Sequence, residues 1–90
     1  MKVLILSKLE KAIQRLKSKP KDYTYGEAKQ LLGQLGFNEY NKGKTSGSRV
    51  KFLRPTDNSI ILLHKPHPGD IMSPSSTRDL HDTLKNKGDI

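Results

Sequence analysis

Two β-prone runs, separated by four turn-forming residues, constrain the fold of this chain more than any other feature of its sequence. The runs cover residues 49–54 and 59–65, and the turn between them is Pro55-Thr56-Asp57-Asn58. Because Pro, Asp and Asn favour tight turns, the pattern predicts an antiparallel β-hairpin. If Pro55 faces Asn58, the residue numbers of every facing pair sum to 113, which sets the register of the hairpin.

That register gives the hairpin one apolar face and one polar face. The apolar face suits covering by helices, and its facing pairs are Val50 with Leu63 and Phe52 with Ile61. The polar face carries cations, and its facing pairs are Arg49 with His64 and Lys51 with Leu62. A slip of one residue would exchange the two faces, so any site predicted on the polar face depends on this register.

An amphipathic helix is predicted at the start of the chain, over residues 4–18. Lys and Arg alternate there with four apolar residues at helical spacing, which are Leu6, Leu9, Ile13 and Leu16. Residues 1–21 carry seven Lys or Arg against the single acidic residue Glu10. A basic amphipathic helix can lie on a membrane or on nucleic acid, but the stripe favours docking on the core of its own domain.

A second helix and a third strand are predicted between this helix and the hairpin. Thr24 and Glu27 form a capping box that begins a helix over residues 25–35, and Gly36 provides a left-handed C-cap. Gly33 within this helix indicates close packing, because glycine otherwise destabilises a helix interior. From Phe37 to Lys42 the period changes to two, which predicts a strand, and a small polar loop follows it.

A third helix is predicted after the hairpin. Ser73 and Pro74 are a typical N-cap and first-turn pair, Gly88 ends the helix, and the predicted inner face consists of Thr77, Leu80, His81 and Leu84. The order is therefore helix, helix, three strands, helix. Strands grouped between helices predict an α+β fold with an antiparallel three-stranded sheet, and an apolar fraction of 32% predicts one thin core.

The excess of basic residues indicates that the partner is a polyanion. The formal net charge is +8, and residues 47–69 form a second basic zone after the one at the start of the chain. Such zones attract nucleic acid through counterion release, although a solubilising surface has the same signature. The absence of Cys excludes disulfides and thiolate zinc sites. The apolar run at residues 3–6 is too short for a signal peptide or a membrane span, so a soluble cytoplasmic protein without membrane contact is expected.

Over roughly residues 24–88, the sequence resembles the HicA family of bacterial toxins. Four segments carry the resemblance: Gly33-Gln34-Leu35-Gly36-Phe37, Lys44-Thr45-Ser46-Gly47-Ser48, Lys51-Phe52 and His64-Lys65-Pro66-His67-Pro68-Gly69. The resemblance implies a fold like that of double-stranded-RNA-binding domains, action on mRNA as an endoribonuclease, and a HicB-like antitoxin as protein partner. It divides the chain into an N-terminal helical extension, residues 1–21, and a HicA-like RNA-binding domain, residues 22–90.

The chain departs from the family at the residue that is catalytic there. The typical motif is Gly-Ser-His, and here Gly47-Ser48 is followed by Arg49. Arginine stays protonated and cannot act as a base, but it can stabilise charge on a phosphorane-like transition state. His64, opposite Arg49, is the candidate base for metal-independent cleavage. The residues expected to contact RNA are Lys44, Ser48, Arg49, Lys51 and His67.

Several alternatives stay open from the residues alone. The first is that Arg49 and Lys51 only hold phosphate while His64 is a half-exposed strand residue, which describes a non-cleaving binder of RNA or antitoxin. Another is a module whose basic face meets an acidic protein. His64 and His67 lack an evident third ligand on a firm frame, so neither a metal site nor a small-molecule cofactor is expected. The sequence Gly43-Lys44-Thr45 lacks the first Gly of a nucleotide-binding loop.

Overall fold

The computed structural model describes residues 7–40 and 49–90, and within them it contains three helices and one antiparallel three-stranded sheet. The elements in chain order are α1 (Lys8–Lys17), α2 (Tyr25–Gln34), β1 (Asn38–Tyr40), β2 (Arg49–Arg54), β3 (Ser59–His64) and α3 (Pro74–Lys87). This confirms the predicted α+β class and the predicted order of elements. None of the described helices is long and apolar enough to cross a membrane.

The first helix packs on the domain core, as predicted, but it begins later than predicted. Ser7 and Glu10 form a reciprocal capping box, which satisfies the first backbone amides and begins α1 at Lys8 instead of residue 4. Leu6 lies outside the described residues. Leu16 is fully buried, and Leu9 and Ile13 pack against the same core while partly buried.

A charged cluster joins α1 to α2. The Arg15 guanidinium donates to Glu27 at 2.7 Å and to Asp22 at 3.0 Å, and Glu27 also accepts from the backbone amide of Thr24. Hydrogen bonding from Arg15 is the main reason that the pKa of Glu27 lies below its usual value. Glu27 thus closes the predicted capping box of α2 and also anchors the preceding helix.

The second helix ends as the sequence predicts, at a glycine in the left-handed region. Gly36 has φ of 94°, and an added Cβ there would lie 3.3 Å from the Arg54 side chain, so only glycine fits without strain. The predicted close packing at Gly33 is wrong, because nothing lies within 4 Å of a Cβ placed there. Gly33 faces solvent and its position on α2 is not explained by packing.

The sheet has the strand order β1-β2-β3, and its hairpin has the predicted register. Arg49 faces His64 and Phe52 faces Ile61, in keeping with pairs that sum to 113. Strand β3 ends at His64, one residue before the predicted end. Strand β1 begins at Asn38, one residue later than predicted, and Phe37 is buried in the core; residues 41 and 42 of the predicted strand lie outside the described residues.

Helices α2 and α3 pack on one face of the sheet, and α1 packs on these two helices. The buried residues of α3 are those predicted for its inner face, namely Thr77, Leu80, His81 and Leu84. They share a single core with Val50, Phe52, Ile61 and Leu63 from the hairpin and with Leu16 from α1. The helices thereby leave the opposite face of β2 and β3 exposed, and that face carries the predicted site.

Candidate functional site

The exposed face of the sheet, called here the outer sheet face, combines cations with apolar and aromatic side chains. Its residues alternate along β2 and β3 with buried ones, and its members are Tyr40, Arg49, Lys51, Ile60, Leu62 and His64. Leu62 is 56% exposed and Ile60 is 48% exposed, although both lie within strand β3. Apolar side chains exposed beside cations are typical of a surface that binds a partner.

Arg49 and His64 are directly opposite each other at one end of the hairpin. Facing residues of an antiparallel pair have Cβ atoms about 5 Å apart, so a guanidinium and an imidazole can contact one bound group together. Both residues are exposed, and neither side chain forms a hydrogen bond or ion pair with the residues that the structure describes. The hairpin thus brings together the two residues that were predicted as catalytic.

Tyr40 and Lys51 form the second part of this face. They are facing residues of β1 and β2, and the Lys51 Nζ lies 5.5 Å from the centre of the Tyr40 ring. This cation–π contact keeps the ammonium close to the sheet while the ring stays 40% exposed. Tyr40 was not singled out from the sequence, because its position beside Lys51 depends on the pairing of β1 with β2.

His64 also lines a small cleft between β3 and α3. The cleft has a volume of about 80 Å³, and α3 contributes Ser76, Asp79 and Thr83 to its lining. Asp79 is the carboxylate of this cleft, so a carboxylate and an imidazole share one solvent-accessible space. The two side chains form no hydrogen bond with each other, so the cleft places a carboxylate near the imidazole without fixing its orientation.

The remaining predicted site residues are not brought into this cluster. Lys44 and Ser48 lie outside the described residues. His67 is exposed in the irregular segment after β3, and its side chain makes no hydrogen bond within the described part of the chain. Residues 7–40 and 49–90 contain no group of three His, Asp or Glu side chains placed to hold a metal ion. His81 is 9% exposed and pairs with Asp82, which confirms the predicted packing role.

The other end of β2 carries a cation of a different kind. Arg54 donates to Asp57 and to Asp89 at 2.8 Å each and to the Leu35 carbonyl at 3.2 Å, and its guanidinium lies 4.6 Å from the centre of the Phe37 ring. Its side chain is only 12% exposed. These contacts hold the end of the chain against the hairpin, so Arg54 is engaged in the fold.

Compared with known proteins, the chain matches no family model, no curated protein and no solved structure at a significant level.

Proposed function

We propose that this protein is a cytoplasmic RNA-binding toxin of the HicA type, with a fold like that of double-stranded-RNA-binding domains, and that it cleaves mRNA without a metal ion or cofactor. The observation that carries the proposal is the facing pair Arg49 and His64 on an exposed, basic sheet face. The α-β-β-β-α order of residues 25–87 agrees with such a fold.

Binding would use the phosphate backbone and unstacked bases. Arg49 and Lys51 make no ion pair within the described residues, so both charges are available to phosphate oxygens. The half-exposed ring of Tyr40 and the exposed side chain of Leu62 offer flat and apolar surface to bases. Recognition of this kind depends on salt, because each phosphate contact releases counterions.

Cleavage would follow the intramolecular transesterification that RNA permits. His64 Nε2 or Nδ1 removes the proton of a 2′-hydroxyl, and the resulting oxygen attacks the adjacent phosphorus. The bond from phosphorus to the 5′ oxygen breaks, and that oxygen takes a proton from water, which leaves a 2′,3′-cyclic phosphate and a 5′-hydroxyl. Arg49 stabilises the extra charge on the phosphate oxygens. Asp79 lines the same cleft as His64 without a hydrogen bond to it in the unbound chain, and would orient the imidazole once RNA is bound.

A non-cleaving RNA-binding protein is the second candidate. The observation that favours it is that His64 has no hydrogen-bond partner among the described side chains, whereas a general base is ordinarily oriented by a third group. Replacement of the family histidine by Arg49 agrees with this candidate. The two candidates share the same RNA surface and differ only in whether the bound RNA stays intact.

A HicB-like antitoxin would act on the same surface. Ile60 and Leu62 project from β3 beside Arg49 and Lys51, and such an arrangement suits a partner with an apolar anchor and acidic rim residues. Covering this face would exclude RNA. Coexpression with an antitoxin should therefore relieve any growth arrest that the toxin causes, and Leu62→Lys should weaken that rescue.

The deciding experiment is cleavage of a short RNA by the purified chain in the presence of EDTA. We expect a 2′,3′-cyclic phosphate product from the wild type. His64→Ala should lower the cleavage rate by about 10² to 10⁴-fold while RNA affinity persists, which is the range for a positioned general base. Asp79→Asn should lower the cleavage rate less, without changing affinity.

His67→Ala is the matched control, because His67 is an exposed histidine three residues away that does not face Arg49. It should cleave at the wild-type rate. If wild-type protein binds RNA but leaves it intact, the non-cleaving candidate is correct. If His64→Ala cleaves normally and His67→Ala does not, His67 is the base and the assignment to His64 is wrong.

A further inference from the structure

A small cavity in the helical layer is lined by three cations from two distant parts of the chain. Lys19 and Lys21 come from the connection between α1 and α2, and Arg78 comes from α3. The cavity has a volume of about 130 Å³, and Pro20, Pro74 and Thr77 complete its lining. It is called here the three-cation cavity, and none of its lining residues belongs to the outer sheet face.

The charges at this cavity are not neutralised by the described residues. None of the three cations forms an ion pair within residues 7–40 and 49–90. The carboxylate next in sequence, Asp22, is bound by Arg15 at 3.0 Å. The carboxylate one turn beyond Arg78 is Asp82, which is hydrogen-bonded to His81.

Asp82 is nevertheless within the electrostatic range of the cavity. Its pKa lies below the usual value, mainly because of the hydrogen bond with His81 and further because of the fields of Lys19 and Arg78. The positive charges of Lys19 and Arg78 therefore both act on Asp82, although Asp82 lies beyond ion-pair distance from each of them.

The fold maintains this arrangement although like charges repel. Lys19 has φ of 50°, a left-handed conformation that turns the chain after α1 and brings Lys19 and Lys21 to α3. Pro20 and Pro74 supply walls with few conformations. The partial positive charge at the start of α3 adds to the field of the three side chains. Three cations held together around a cavity stabilise a multiply charged anion when one is bound.

We infer that the three-cation cavity binds a phosphate group. Its volume is well below the range of about 300 to 1,000 Å³ for pockets that take drug-sized molecules, so it admits a small group and not a whole nucleotide. Arg78 offers a planar fork of N–H donors and the two lysines offer point charges, which is the donor set that phosphate oxygens prefer.

This site does not depend on the proposed RNA-binding function. It lies in the helical layer, on the other side of the sheet from Arg49 and Lys51, and its lining contains no residue of the outer sheet face. The phosphate has two possible sources, a free or terminal phosphate monoester and an internal phosphodiester of a nucleic acid. The experiment separates them.

The first part of the test is titration of the full, ¹⁵N-labelled chain with inorganic phosphate at constant ionic strength, with chloride as the compensating anion. We expect saturable amide shifts at Lys19, at Lys21 and at residues 75–78. Arg78→Gln and Lys21→Gln should each raise the phosphate Kd by about fivefold, the upper range for one solvent-exposed ion pair. The matched controls Lys85→Gln and Lys17→Gln remove the same charge from the same helix or its neighbour, and should leave the Kd unchanged.

The second part compares two short deoxyoligonucleotides that differ only in a 5′-phosphate. A shift at Lys19, Lys21 and residues 75–78 that needs the 5′-phosphate identifies a monoester, and equal shifts with both oligonucleotides identify the phosphodiester backbone. The inference is overturned if phosphate causes no larger shifts than chloride, or if cavity and control substitutions change the Kd equally. Arg49→Gln should leave the phosphate Kd unchanged, so failure of RNA binding and failure of this site are distinguishable.

Discussion

Strand β2 begins with Arg49 and ends with Arg54, and these two arginines have opposite environments. Arg54 is 12% exposed, is bound by two carboxylates and a carbonyl, and lies against an aromatic ring. Arg49, five residues earlier, is exposed and has no ion-pair partner within the described residues. The same residue type therefore belongs to the fold at one end of the strand and to the solvent-facing surface at the other.

In a chain with net charge +8, the presence or absence of counter-charges separates cations that stabilise the fold from cations that can bind a ligand. A cation that already has its counter-charges stabilises the fold and has little left to offer a ligand. A cation without counter-charges adds to the repulsion within a basic protein and gains most from a bound anion. By this criterion Arg15 belongs with Arg54, whereas Lys51 belongs with Arg49.

The largest expected effect is on stability, at the Arg54 end. Arg54→Met should lower the free energy of unfolding by about 3 kcal/mol, because it leaves the largely buried Asp89 carboxylate without its partner. One oxygen of that carboxylate, Oδ2, is already buried without a hydrogen bond in the described structure. Arg49→Met is the matched control and should change the free energy by less than about 0.5 kcal/mol.

Urea denaturation gives the free energy of unfolding of both variants. A double variant with Asp89→Asn should recover part of the stability lost in Arg54→Met, because the buried charge is then removed along with its partner. If Arg49→Met and Arg54→Met destabilise the protein equally, the distinction between the two ends of β2 is wrong.

The next effect is on RNA affinity, at the Arg49 end. Arg49→Gln and Lys51→Gln should each weaken RNA binding and lower the slope of log K against log salt by about 0.7, the value for one phosphate contact on a single strand. Lys85→Gln, a surface cation in the last turn of α3, should leave the slope unchanged. Fluorescence anisotropy at several salt concentrations gives the slopes, and equal slopes for all variants would place the RNA elsewhere.

The smallest effect is the acid dependence of stability at Arg15. Because Arg15 lowers the pKa of Glu27 in the folded protein, this pair stabilises the fold above the pKa of an unfolded glutamate, about 4.3, and the contribution is lost as pH falls through the lower folded value. The urea midpoint of the wild type should therefore fall more between pH 6 and pH 3 than that of Glu27→Gln. Asp79→Asn, an exposed carboxylate without an ion pair, should show the same fall as the wild type.

The hairpin and both later helices could be predicted from local patterns. Alternation in residues 49–54 and 59–64, together with one turn, was sufficient for the register, and the caps at Thr24 and Ser73 marked the helix starts. The start of α1 was predicted wrongly because the stripe was extended to Leu6. The capping box of Ser7 and Glu10 is visible in the sequence and could have corrected it.

The site could be predicted only where it follows from the hairpin. The pairing of Arg49 with His64 is a local property of two adjacent strands and was predicted correctly. Tyr40 and Asp79 reach this region through β1 pairing and α3 packing, which no local spacing specifies. The same reason applies to Arg54, since its partner Asp89 lies 35 residues away in the sequence.

The central claim is that RNA binds to the outer sheet face, and the most direct test is amide mapping with a short RNA whose 2′-hydroxyls are methylated to prevent cleavage. The account predicts saturable shifts at Arg49, Lys51, Leu62 and His64, and small shifts at Arg54, Asp57 and Asp89. The affinity should be weakened by Arg49→Gln and unchanged by Lys85→Gln. Saturable binding without shifts at residues 49–51 and 62–64 would contradict it.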